Sequence, residues 1–257
     1  MSFSALDYQL GGLAGLTGDE VQGEATGLLN TSAAISSMVN ELSELLTTPP
    51  SLYLDLEGVN LSRHGTISIL QIHVRTTGQS YLVDVKTLGE MVFSTPGIRT
   101  PNTLNEILES PSIAKVLFDL KGVQDLQLME LATRPEGRRQ FVSGLKSCIS
   151  RDLPVTPMEK SEWMKTKDDG KKLFAPEQGG SYELFNQWPL PERIRAYCVQ
   201  DVHYLPRLWD LYDHKLTEAW RAKVLEATEA RVAQSQAPDY IGQGKHKMLA
   251  PAGWASC

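Results

Sequence analysis

Between residues 51 and 85 the chain alternates apolar and polar side chains in three short runs, SLYLDLEG, TISILQIHV and QSYLVDV. The breaks between them are short and polar, the first holding Gly58 and residues 60–64. Period-two alternation with β-branched residues and turns this short predicts three strands, 52–57, 66–74 and 79–85, arranged as an antiparallel meander. A sheet of this kind must be covered, and the remaining sequence supplies the cover. Residues 32–46 carry Ile35, Met38, Val39, Leu42 and Leu45 at helical spacing and stop before Pro49 and Pro50. Residues 104–109 predict a short helix before Pro111, and AKVLF over 114–118 a brief apolar strand. The run 123–132 fits a strand, a helix, or one passing into the other. Residues 144–180 read as a long irregular excursion with a helix over 159–165, because KTKDDGKK and nearby glycines interrupt the pattern. From Pro191 a strong helical pattern begins, through Ile194, Tyr197, Cys198, Val202, Leu205, Leu208 and Leu211, which Pro206 should kink or divide. Strands first, then strands interleaved with helices, predict an α/β fold, a mixed sheet flanked by helices. Residues 1–30 and 233–257 show little periodicity and predict flexible tails around one domain, 31–232.

Composition narrows the function. With 257 residues, 41% hydrophobic and 22% charged, the chain has enough core-forming material to fold without staples. It contains no apolar run of about 18 residues, so no membrane-spanning helix is expected. The start, MSFSALDYQL, has neither the basic nor the apolar region of a secretory signal. Cys148, Cys198 and Cys257 are odd in number, far apart and outside any CxxC or Cys/His cluster. They predict reduced thiols in an intracellular protein of the cytoplasm or nucleus, without a zinc site. The net charge of −6 argues against coating nucleic acid through a basic surface. It leaves open a protein that holds phosphate through bound cations.

Two acidic features bear on that question. In Asp55-Leu56-Glu57, residues i and i+2 of a strand point to one face, so the two carboxylates stand together while Leu52, Leu54 and Leu56 face the other way. Neighbouring carboxylates repel unless a cation lies between them, and hard divalent cations take such oxygen ligands. A solvent-facing acidic pair on an edge strand would read the same. In Tyr197-Cys-Val-Gln-Asp201, a spacing of four puts phenol and carboxylate one turn apart on one helix face.

With DxE on a first strand and YxxxD on a late helix, the sequence resembles the DEDDy branch of the DEDD 3′–5′ exonucleases, the branch of RNase D and the Werner-type exonuclease domain. The resemblance spans roughly residues 51–216, through LYLDLEG, ISILQIHV and IRAYCVQDVHYLPRLWDLY. In SLYLDLEGVNLSRHGTISILQIHV and GVQDLQLMELATR it is similar above all to fungal 3′–5′ exonuclease domain-containing proteins. It implies a ribonuclease H-like fold for residues 31–232 and hydrolysis of phosphodiester bonds at single-stranded 3′ ends of RNA or DNA. It also implies two divalent ions, Mg²⁺ or Mn²⁺, about 4 Å apart. By the same resemblance Asp55 bridges both ions, Glu57 and Asp201 hold the nucleophile-side ion, and Tyr197 orients the attacking water. A phenol with an ordinary pKa near 10 suits positioning better than proton abstraction.

The resemblance also marks a departure. The family carries a second acidic motif on a helix after the AKVLF-type strand, and here Phe118-Asp119-Leu120 runs almost directly into Lys121-Gly122-Val123. About 15 residues, the length of that helix and loop, are absent. Asp125 substituting from a rebuilt helix, a site working with three carboxylates, and a shortened, inactive chain all fit, with Asp119 as a further acid nearby. An exonuclease-fold module that binds nucleic acid without cleaving it is the alternative function, and a scaffold using the C-terminal helices a third. Lys165, Lys167, Lys171 and Lys172 form a basic patch around Asp168-Asp169, from which Lys171 could touch a substrate backbone or simply face solvent. His64 follows the first strand closely enough to reach substrate, or is a turn residue. His203 is expected to be structural. Trp188 stands where the family usually has Arg, and could stack on a base or pack against the following helix. Gly179-Gly180 lacks the strand-to-helix setting of a phosphate loop.

Overall fold

The three alternating runs form adjacent strands at the centre of a six-stranded sheet. The computed structural model describes residues 26–45, 49–61, 64–118, 124–242 and 244–256. In chain order the elements are β1 (Thr26–Leu29), α1 (Ser32–Ser43), β2 (Leu52–Val59), β3 (Thr66–Val74), β4 (Gln79–Asp84), the single turns α2 (Val85–Leu88) and α3 (Met91–Ser94), α4 (Leu104–Glu109), β5 (Lys115–Leu117) and β6 (Gln124–Asp125). Helices follow: α5 (Leu126–Ala132), α6 (Leu145–Asp152), α7 (Pro157–Phe174), α8 (Glu192–His203), α9 (Leu205–Lys215) and α10 (Glu218–Gln236). The strand order is β1-β4-β3-β2-β5-β6. β2, β3 and β4 are antiparallel neighbours, while β1 joins β4, and β5 joins β2 and β6, in parallel.

Side-chain parity divides the core. Leu52 and Leu54 of β2, Leu70 and Ile72 of β3, and Val83 of β4 pack with Ile35, Met38, Val39 and Leu42 of α1. Thr31 caps α1 by accepting from the Ala34 N–H at 3.2 Å. The opposite parity, Tyr53 and Val116 on one side and Ile69 and Leu82 on the other, faces α5, α7, α8 and α9. Leu52, Tyr53 and Leu54 are therefore all buried, as a central strand covered on both faces requires. The DxE strand is central, not the edge strand that would leave two acids in solvent. Gly58 is not a turn. It lies at a bulge between Glu57 and Gly58 within β2, where a Cβ would overlap the Thr66 carbonyl.

Three sequence-based expectations are corrected. The flexible tail expected up to residue 30 gives way at residue 26, where β1 pairs with β4. Residues 144–180 are mainly helical. A capping box of Thr156 and Glu159 with Pro157 at the first position starts α7 firmly, and the helix continues through Gly170 to Phe174. The described residues of the C-terminal stretch are also packed: α10 reaches Gln236, and Trp254 is buried edge-on against Trp220 at 5.0 Å. Backbone bonds from Val142 N to Met248 O (2.9 Å) and from Ala250 N to Gln140 O (3.1 Å) hold that stretch down. Pro206 divides α8 from α9, as expected.

Candidate metal centre

Asp55 and Glu57 have the parity of Tyr53, so both point from β2 toward α8. Register places Gln71 beside Asp55, and Ile69 beside Glu57. α8 lies over this patch because its apolar face, Ile194 and Cys198, packs on Ile69 and Leu82. The same seating presents Tyr197 and Asp201, one helical turn apart, to the two strand carboxylates. One oxygen each of Asp55, Glu57 and Asp201 lies within 4.8 Å of the others. The Leu56 N–H donates to Asp55 Oδ1 at 2.9 Å and helps fix that carboxylate.

A fifth residue, Lys167 of α7, is not singled out by the sequence as a site residue. Its ammonium donates to the Tyr197 hydroxyl at 2.9 Å, forms an ion pair with Asp201 Oδ2, and lies 4.2 Å from the Tyr197 ring centroid. The available signal was spacing. Trp163, Lys167, Gly170 and Phe174 recur at intervals of four, three and four, which is the inward face of α7. The stretch reads as breaker-rich, so a single lysine on a helix face was lost among its neighbours. Gly170 lets α7 come this close, since a Cβ there would stand 2.6 Å from Tyr197 Cδ2.

Electrostatics follow from burial. Desolvation pushes the Glu57 carboxyl well above the ordinary range, and the Asp55 and Asp201 charges push it further. Asp201, 2% exposed, is also raised by burial, opposed by Lys167 and the Tyr197 hydroxyl. Burial and the surrounding carboxylates raise the Tyr197 phenol far above its usual value, so it keeps its proton. Buried Cys198, beside the same carboxylates, is likewise held as a thiol. Asp201 Oδ1 is buried without a hydrogen-bond partner. Three carboxylates against one ammonium, with an orphaned oxygen among them, fit a hard divalent cation.

The other expected site residues lie elsewhere. Asp125 is paired in register with Leu117, whose side chain belongs to the core on the far side of the sheet with Leu54. Its Oδ1 caps α5 by accepting from Gln127 N (2.9 Å) and Leu128 N (3.3 Å), and its Oδ2 accepts from Arg231 at 2.6 Å. Of the alternatives, the one in which Asp125 completes the carboxylate set is therefore corrected: its oxygens are committed to a helix cap and an ion pair with Arg231. Asp119 lies outside the described residues. Lys171 is exposed and bridges to Glu177 at 3.2 Å, and Lys165 and Lys172 also face solvent. His64 is exposed in the turn before β3. Trp188 is half-buried against the cluster of Phe174, Phe185 and Leu190, the packing alternative. His203 stacks edge-on with His73 at 5.7 Å, in line with a structural role. No helix among the described residues is long and apolar enough to cross a membrane.

No protein-family model matches the chain. No curated protein matches its sequence. Solved structures do match. Trypanosoma brucei RNase D in complex with RNA superposes with a TM-score of 0.68 at 16% identity, over 90% of this chain and 78% of that one. The GMP complex of the same enzyme gives 0.67 at 18% identity, over 90% and 71%. Escherichia coli RNase D, an exoribonuclease involved in structured RNA processing, gives 0.55 at 19%, over 82% and 51%. The described sheet, with its order and its two helical layers, is thus the ribonuclease H-like fold found in RNase D.

Proposed function

We propose that this chain is a divalent-metal-dependent 3′–5′ exonuclease of the DEDDy type, acting on single-stranded nucleic-acid ends. One observation carries the reading: β2 and α8, distant in sequence, bring Asp55, Glu57 and Asp201 within 4.8 Å of one another beside the Tyr197 hydroxyl. That the similar RNase D structures were solved with RNA and with GMP makes RNA the first substrate to test.

Asp55, Glu57 and Asp201 would hold the cations, two in the working complex. Such ions supply Lewis acidity toward a phosphate oxygen and lower the pKa of water. The protein's own groups do the rest. Their carboxylates bring cations to a chain whose net charge of −6 would otherwise repel phosphate. Tyr197, held protonated by burial and by its acidic neighbours, orients the attacking water and does not take its proton. Phe174, edge-on to the Tyr197 ring at 5.0 Å, and Gly170 fix where that hydroxyl stands.

A second reading, a module that binds without cleaving, draws on the commitment of Asp125 to Arg231, which leaves three carboxylates in the cluster among the described residues. Chromatography of products from single-stranded RNA with Mn²⁺ separates the two. An exonuclease releases nucleoside monophosphates from the earliest times, and Asp55→Ala and Asp201→Ala abolish the release. Salt-sensitive binding with no product in the wild type favours the module and overturns the enzyme.

A further inference from the structure

Lys167 belongs to a basic patch by sequence but not by position. Its side chain is 16% exposed, against 46% for Lys171 and 64% for Lys172. Ordering a lysine and removing it from water is costly unless its charge is used. Here it is used on Asp201 Oδ2 and on the Tyr197 hydroxyl, with the ammonium over the Tyr197 ring. The close passage of α7 over α8 at Gly170 leaves the lysine stem little room to wander.

Charge arithmetic gives this contact a consequence. With Asp55, Glu57 and Asp201 ionised and Lys167 charged, the group carries −3 + 1 = −2, the charge one divalent ion neutralises. A second ion would leave it at +2. We propose that Lys167 is an internal counter-ion that holds one of the two cation positions. The resting site then takes a single divalent ion, and a second enters only when the ammonium leaves Asp201 for the phosphate of an incoming strand. Lys167 is in this sense a positioning residue that couples full metal loading to substrate. The proposal rests on the cluster being a metal site.

Mn²⁺ titration by calorimetry, with electron paramagnetic resonance to count bound ions, tests it without reading activity. The variants are Lys167→Met, which keeps the stem over Tyr197, and Lys167→Gln, which keeps a donor. Both should bind a second ion, or bind the first at least about ten-fold tighter than wild type, since a positive charge within contact distance of a ligand has gone. If either variant folds poorly alone, its thermal midpoint should still rise more on adding Mn²⁺ than that of wild type. Equal stoichiometry, affinity and thermal response in wild type and variants would overturn the role of Lys167 and leave the metal site standing. Absence of Mn²⁺ binding in all three proteins would overturn the metal site itself, and the proposal with it.

Discussion

Asp201 is buried, paired on one oxygen with Lys167 and orphaned on the other, and its burial with Glu57 sets how the site responds to pH. Burial raises the Glu57 and Asp201 carboxyls above their ordinary values of 4.5 and 3.8. A carboxyl raised on folding stabilises the protein below its unfolded pKa, and that stability is lost as pH rises through the folded pKa. In the presence of chelator, the cluster therefore makes the protein progressively less stable as pH rises above the ordinary carboxyl range. Glu57→Gln should be more stable than wild type at the upper end of the neutral range and nearly unchanged at about pH 5. Denaturant melts at both pH values check this, and a loss of stability at the upper end contradicts it. The two carboxylate motifs were legible in the sequence because their spacings, two on a strand and four on a helix, map directly onto faces. Lys167 was not, since its partners come from another helix. Asp125 stays an open alternative in the sequence for a related reason: sequence offset places it near the sheet, whereas strand register decides which face it serves.

At the scale of elements, the site depends on how closely α7 passes over α8. Gly170 sits mid-helix, where Ala would ordinarily be better by about 1 kcal/mol. Because a Cβ there would meet Tyr197, Gly170→Ala should instead destabilise by about 1–3 kcal/mol and lower the rate of hydrolysis. A thermal melt and a single-turnover rate on the same sample check both effects. β6 and α5 show the opposite case, an acid with a structural task. Asp125→Ala should cost about 2–4 kcal/mol through the lost cap and the lost ion pair with Arg231, with the rate per folded molecule unchanged. A large loss of rate in fully folded protein would return Asp125 to the chemistry. Most elements were legible because their periodicity is strong, as in the 66–74 strand and the 104–109 helix. β1 is four residues long and owes its conformation to pairing with β4, a tertiary effect that local pattern does not carry. The full length of α7 is not legible in the sequence because Lys-Asp-Asp-Gly resembles a turn, while its capping box and its ion pairs, such as Lys172 with Asp169, sustain a helix.

At the scale of the whole molecule, the C-terminal stretch closes the helical layer through the packing of Trp254 on Trp220 and backbone bonds to residues 140 and 142. Trp254→Ala should cost about 3–5 kcal/mol in denaturant unfolding, where removal from a flexible tail would cost nothing. A lone tryptophan in a polar, Gly-containing stretch carries no periodicity, which is why its packing on Trp220 could not be read in advance. The acidic balance of the chain now has a location: three of its negative charges meet where β2 and α8 converge, so phosphate binding there requires cations. A 5′-labelled single-stranded RNA incubated with Mn²⁺ tests this most directly. A metal-dependent exonuclease yields a ladder shortening from the 3′ end, lost with chelator and slowed by several orders of magnitude in Asp55→Asn. Full-length RNA throughout, or equal cleavage by wild type and Asp55→Asn, would contradict it.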